Sequence, residues 1–366
     1  MLLYLTAEDV FGSDTPRGRG PRPLHTIPAT LAGLYDLGLR HHLRSAAMAW
    51  WTPQGLERVP DWRFDRLAIR FAVFGRERLG LTPGERILVL GRLGWLWPTL
   101  DFAAMGFGVL PIGVEHDLGD DAVAGIAGET AARAAFATDP GSAERLLGLR
   151  RAGRLGRATV VGEGFVEGDG VLALREVVER AAVLDTAERA QAFRAFSRQV
   201  TPEGEALWHV GAHGVVRLTH AAAMARVAPM LRSRPAARGD VAYLDAPRVT
   251  LGKRLALAAF VGDGHTTSAL GGEGHPAEEL AELRPHKALV SEAWLEAVCS
   301  GDGGPRRPAW LDRWRARRRL QQALGGRLRW VEAQVGVSPA GARALAGAGV
   351  AVEEVAGRGE EEPWRC

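Results

Sequence analysis

Ile87-Leu88-Val89-Leu90 is a strand-length apolar run that meets Gly91 and is followed by a helix-length segment from Trp97 to Gly106. The same order recurs down the chain. Asp121 to Ala132 reads as a helix, Ala134 to Thr138 as a strand, Ser142 to Leu149 as a helix and Ala158 to Val161 as a strand. Strands that alternate with helices need crossover connections, and crossovers favour parallel pairing. The expected fold class is therefore α/β, with mainly parallel sheets flanked by helices. A chain of 366 residues, 46% of them hydrophobic, is long enough for two or three subdomains around a large core.

Before the first of these strands, Thr15 to Pro28 is rich in Pro, Gly and Arg, and an irregular arm is expected over residues 1–29. Leu31, Leu34, Leu37, Leu39, Leu43 and Ala47 roughly follow helical spacing and predict a helix from Thr30 to Ala47. Arg63 to Leu79 predicts another, with Leu67, Phe71, Phe74 and Leu79 on one face. Leu172 to Phe196 reads as a helix with a stripe of Leu174, Val177, Val178 and Ala181. Ser197 to Glu205, with Pro202 and Gly204, is a turn-rich connection. These readings divide the chain into a first α/β subdomain over 30–196 and a second over 197–366. In the second, a helix from Thr219 to Leu231, a strand over Gly239 to Pro247 and a helix from Leu251 to Val261 ending at Gly262 are expected.

Charge excludes some partners. The formal net charge is only +3, so the chain carries no basic excess of the kind a nucleic-acid-binding domain needs. The basic run Arg313 to Arg319, interleaved with Trp310, Trp314 and Leu320, reads as a solvated helix face. Cys299 and Cys366 make no metal-ligand spacing and no disulfide framework, which suits a reducing cytoplasm. The first residues lack a basic n-region, and no apolar run is long enough to span a bilayer.

One stretch invites a functional reading. Ala206 to Val210 is a short apolar run, Gly211-Ala212-His213-Gly214 a turn, Val215 to Leu218 a second run, and Thr219 an N-cap for the Ala-rich segment beyond. Two glycines three apart let a backbone take positive φ and approach a ligand, as a phosphate-cradling loop does. A plain hairpin turn satisfies the same residues. His209, His213 and His220 could be spaced for a metal, but the glycines between them remove any single helical face, which favours local packing of each imidazole. No Gly-x-Ser-x-Gly elbow exists to expose a hydrolase nucleophile.

The stretch resembles the phosphate loop of the adenylate-forming superfamily, the AMP-dependent synthetases and ligases that include acyl-CoA synthetases. That family's pattern is Tyr-Thr-Ser-Gly-Thr-Thr-Gly-x-Pro-Lys-Gly-Val-x-Leu-Thr-His. Trp208 falls on its aromatic position, Gly211 and Gly214 on its loop glycines, and Leu218-Thr219-His220 on its Leu-Thr-His. His209, Val210, Ala212 and His213 stand where the family carries hydroxyls, and the Pro-Lys has gone. Lys253 and Lys287 are the only lysines in the chain. Scaffold segments resemble the family too: Leu81 to Val114, with Glu85, Arg86 and Pro111 in place; Gly239 to Pro247; Arg284-Pro285 before Ala288 to Val290; and Leu324 to Val331 with Gly336 to Pro339. Ala356-Gly357-Arg358-Gly359-Glu360 is similar to the family's Tyr-Gly-x-Thr-Glu.

The resemblance implies an acyl-CoA synthetase-like large N-terminal domain made of two stacked αβα subdomains, without the family's C-terminal domain. It implies a vestigial nucleotide site at Gly211, Gly214, Thr219, Gly357 and Glu360, with Glu360 the one acidic group placed to meet magnesium. One carboxylate alone binds magnesium weakly. With the hydroxyls and lysine gone, the expected function is a non-catalytic relative that binds an acyl or carboxylate ligand, or a partner ligase. The alternative is an active acyl-adenylating ligase that uses ATP and Mg2+ and is completed by a separate C-terminal domain.

Overall fold

In the computed structural model, residues 27–40, 44–52, 55–165, 168, 170–233, 239–245, 249–264, 266–271 and 276–290 are described, followed by 324, 326–328, 330–333, 345–346 and 351–354. Their elements run in the order α1 (Leu31–Arg40), β1 (Met48–Thr52), β2 (Gly55–Val59), α2 (Asp61–Arg78), β3 (Arg86–Leu90), α3 (Leu96–Met105), β4 (Leu110–Val114), α4 (Asp120–Thr130), β5 (Ala134–Ala137), α5 (Pro140–Arg151), β6 (Thr159–Gly162) and β7 (Val171–Ala173). Then come α6 (Leu174–Val183), α7 (Ala187–Ser197), β8 (Glu205–Gly211), β9 (Gly214–Thr219), α8 (His220–Ser233), β10 (Val241–Leu244), α9 (Leu251–Gly262), β11 (Thr267–Leu270), α10 (Pro276–Leu283), β12 (Lys287–Val290), β13 (Trp330–Ala333) and β14 (Ala351–Glu354).

Among the described residues the strands form two seven-stranded sheets, in the orders β7-β6-β5-β3-β4-β8-β9 and β14-β13-β12-β10-β11-β1-β2. Pairing within both is parallel except at one edge of each, where β8 meets β9 and β1 meets β2 antiparallel. The α/β class with mainly parallel sheets is what the strand, glycine and helix order requires. The division at 197–205 does not coincide with a division between the sheets. β8 and β9 lie beyond it yet complete the first sheet, and β1 and β2 precede it yet pair with β11 in the second.

Helices between the sheets bury residues all round. All ten residues of α3 are buried and so are eleven of the twelve in α9, as expected of helices with a sheet on either side. One continuous core joins these helices to the facing sides of both sheets, through Ile87, Val89 and Phe136 of one and Met48, Leu244 and Leu289 of the other. Separate apolar groups cover the outer faces, around Leu88, Ile112 and Leu146 on the first sheet and Tyr243, Leu280 and Val331 on the second. Two stacked αβα units thus share a helical layer.

Several local readings change. The helix from Thr30 stops at Arg40, and Met48 begins a strand whose Trp50 and Trp51 suit a pleated surface. The helix expected over 172–196 is two helices. Thr186 takes an extended conformation and its side chain accepts from the Arg189 amide, capping α7, while Asp185 turns to Arg66 and Arg70. Gly262 is the last helical residue rather than a left-handed cap; the positive φ of +72° falls at Gly264. Gly262 is needed for space, since a Cβ there would lie 2.3 Å from Leu34 Cγ, and one at Gly38 would lie 2.5 Å from the Val261 carbonyl oxygen. The helices α1 and α9 therefore cross in near contact. Residues 1–26, the basic run at 313–319, both cysteines and 356–360 lie outside the described residues. No described helix is long and apolar enough to cross a membrane.

Candidate functional site

β8 sits between β4 and β9, with Ile112 beside Trp208, Gly113 beside His209 and Val114 beside Val210. Val, Leu and Trp in this run favour an extended strand, and Ala206 to Val210 are all buried. The chain then reverses through Ala212 and His213, with Gly211 opposite Gly214. The two glycines do different work. Gly214 takes a positive φ of +108° with open space around it, whereas Gly211 does not; a Cβ on Gly211 would lie 2.6 Å from Glu115 Oε1. Glu115 follows β4 directly, and its amide donates to the Val210 carbonyl at 2.9 Å. A carboxylate is thus packed against the inner side of the turn.

His209 is buried, with Nε2 3.2 Å from Glu115 Oε1. Burial lowers its pKa; the Glu115 hydrogen bond opposes that shift. His213 is exposed at the turn. His220 begins α8 and is buried, and burial alone lowers its pKa to about 4. His209 and His220 are separated by roughly 13 Å of strand, at about 3.3 Å per residue. Among the described residues no group of three or more His, Cys, Asp or Glu side chains could hold a metal ion. The Thr219 hydroxyl accepts from the Ala222 amide at 3.1 Å and so caps α8. Trp208 is covered by the Arg217 guanidinium at 4.0 Å, and its Nε1 donates to Glu205. Gly357 and Glu360 lie outside the described residues.

Arg254 of α9 reaches β8 and β4 from the central helical layer. Its Nε and Nη2 donate to the two carboxylate oxygens of Asp101 in α3, at 2.6 and 2.5 Å. Its Nη1 donates to the Trp208 carbonyl at 2.7 Å, and Trp97 lies under the guanidinium at 5.4 Å. Gly113 makes room for it, since a Cβ there would meet Arg254 Nη1 at 2.6 Å. Beside it Lys253, also buried, places Nζ 2.5 Å from Asp245 Oδ1. Sequence reading missed Glu115, Asp101 and Arg254. The available signal was a charge inside an otherwise apolar helix, Leu96-Trp97-Pro98-Thr99-Leu100-Asp101-Phe102, because such a residue is buried only when paired.

A magnesium nucleotide does not fit the described residues at this turn. A phosphate-binding loop presents amides, hydroxyls and cations, and here the side chains are Ala212 and His213 with Glu115 behind them. Replacing Gly214 by Val should lower the melting temperature, because a β-branched side chain at positive φ costs about 1–3 kcal/mol. Restoring hydroxyls with Val210→Ser and Ala212→Thr should create no nucleotide binding in a titration. A normal melt for the valine variant, or ATP binding regained by the pair, would mark the turn as a phosphate loop.

No family model matches the chain, and no curated protein matches it by sequence. Solved structures match its fold. A Mycobacterium tuberculosis fatty acyl CoA synthetase superposes with a TM-score of 0.65 at 14% identity, over 88% of this chain and 58% of the other. The N-terminal domain of FACL13 from Mycobacterium tuberculosis superposes with a TM-score of 0.67 at 14% identity, over 89% of this chain and 75% of that one. The anthranilate CoA ligase AuaEII, in complex with anthranoyl-AMP, gives 0.66 at 15% identity, over 90% and 59%. The chain spans under two thirds of the length of the first and third. The fold is that of the acyl-CoA synthetase N-terminal domain.

Proposed function

We propose that this chain is a degenerate relative of the AMP-dependent synthetases and ligases, cytoplasmic and non-catalytic, whose acyl-CoA synthetase-like domain binds an acyl or carboxylate ligand or a partner ligase. The observation that carries this reading is Glu115 packed against Gly211, at the turn where the resemblance puts the phosphate loop. Adenylation depends on cations and hydrogen-bond donors that neutralise charge on the transferring phosphates. A carboxylate about 4 Å from a phosphate charge opposes binding by about 4 kcal/mol at an effective dielectric of 20. The missing hydroxyls and lysine add to that cost.

Isothermal titration with ATP and magnesium is expected to show no millimolar-or-better affinity. Incubation with fatty or aromatic acids is expected to release no pyrophosphate. Pyrophosphate release that Glu360→Ala abolishes would instead support a working acyl-adenylating ligase that uses ATP and Mg2+.

A further inference from the structure

We infer that the groove between α2 and α7 is a binding site for a small phosphorylated molecule, gripped by Arg66, Gln191, Arg194 and Arg198. The groove encloses about 480 Å³, and the rest of its lining is Ala187, Ala190 and Ala195. On α7 these residues recur every three or four positions, so they share one helix face. Alanine at three of those positions leaves the space open.

The arginines are held in place from behind. Arg66 Nε lies 2.5 Å from Asp185 Oδ2, and Arg70 Nε donates to the same oxygen at 2.8 Å. Arg194 pairs with Asp36 at 3.0 Å and also with Asp65. The Asp185 side chain is 2% exposed and that of Arg66 is 42% exposed, so the carboxylate sits inside while Arg66, which lines the groove, stays partly open. Arg198 is exposed and makes no ion pair among the described residues. With Arg70 included, Arg66, Arg194 and Arg198 outnumber the carboxylates of Asp36, Asp65 and Asp185 by one charge.

Each guanidinium carries five N–H donors, more than one or two carboxylates use up. Planar forks suit phosphate and carboxylate oxygens alike. Three arginines lining one space favour phosphate, because its three terminal oxygens and higher charge can meet several donors while a single carboxylate satisfies one. The volume lies within the range of small-molecule pockets and exceeds an inorganic phosphate, so an organic body has room against the alanines.

Isothermal titration of the full chain with phenyl phosphate, inorganic phosphate and benzoate tests the assignment. Phenyl phosphate is expected to bind saturably, more tightly than inorganic phosphate, with benzoate weaker than phenyl phosphate. Arg198→Glu should weaken phenyl phosphate at least about tenfold, the loss expected for a charge-assisted hydrogen bond, with an unchanged thermal melt because the side chain is exposed. Gln191→Glu supplies a second exposed charge change with the same expected direction. The proposal is overturned by the absence of saturable heat, by equal binding of benzoate, or by unchanged affinity in both variants.

Discussion

Arg254→Ala is expected to lower the unfolding free energy by about 3–5 kcal/mol, the range for removing one partner of a buried ion pair. The loss has two parts. The Asp101 carboxylate, itself 2% exposed, is left without its fork in the layer between the sheets, and the Trp208 carbonyl loses a donor. Four elements meet at this guanidinium: α9 carries it, α3 carries Asp101, and β4 and β8 supply carbonyls through Pro111 and Trp208. The defect should therefore appear as a lower urea midpoint for the whole chain, not as fraying of one helix. Arg254→Met combined with Asp101→Leu should recover most of the stability, since replacing both members with apolar groups of similar volume is often neutral or favourable. A loss under about 1 kcal/mol in the single variant would mean that water reaches the pair and screens it.

The parts of this architecture legible in the sequence are those fixed by periodicity. The runs at Ile87 to Leu90 and Ala134 to Ala137 become central strands because short apolar stretches between helices can be covered on both faces. The strands β1 and β2 were not legible, because Met48 to Thr52 carries no alternation and its parallel partner, β11, lies more than two hundred residues away. Sheet membership of β8 was hidden for the same reason: neighbour choice is a non-local property. At the turn, the glycines were visible and their division of labour was not. Gly211 is fixed by the carboxylate of Glu115, just after β4, which no local reading of residues 205–220 contains.

Stability is expected to fall as the pH drops from about 6.5 toward 4, and His220 makes the sign definite. Burial holds its pKa at about 4, against 6.5 for a solvated imidazole. Above pH 6.5 both folded and unfolded chains carry it neutral, and it contributes nothing to the pH dependence. Between 6.5 and 4 the unfolded chain takes up the proton and the folded chain does not, so the unfolded state gains ground throughout that window. The displacement amounts to about 3 kcal/mol once the pH is below the folded pKa. His209 acts in the same direction, because burial lowers its pKa more than the Glu115 hydrogen bond raises it. Both lie on or just beyond the β8–β9 hairpin, so the first sheet's edge should be the acid-labile part of the fold. Urea midpoints at pH 7.5 and about 4.5 check this for the parent and for His220→Gln, whose amide does not titrate in this range. The variant should lose about 2 kcal/mol less than the parent between the two conditions. Equal losses would show that His220 protonates in the folded chain as readily as in water, which a residue 1% exposed cannot do without opening the start of α8.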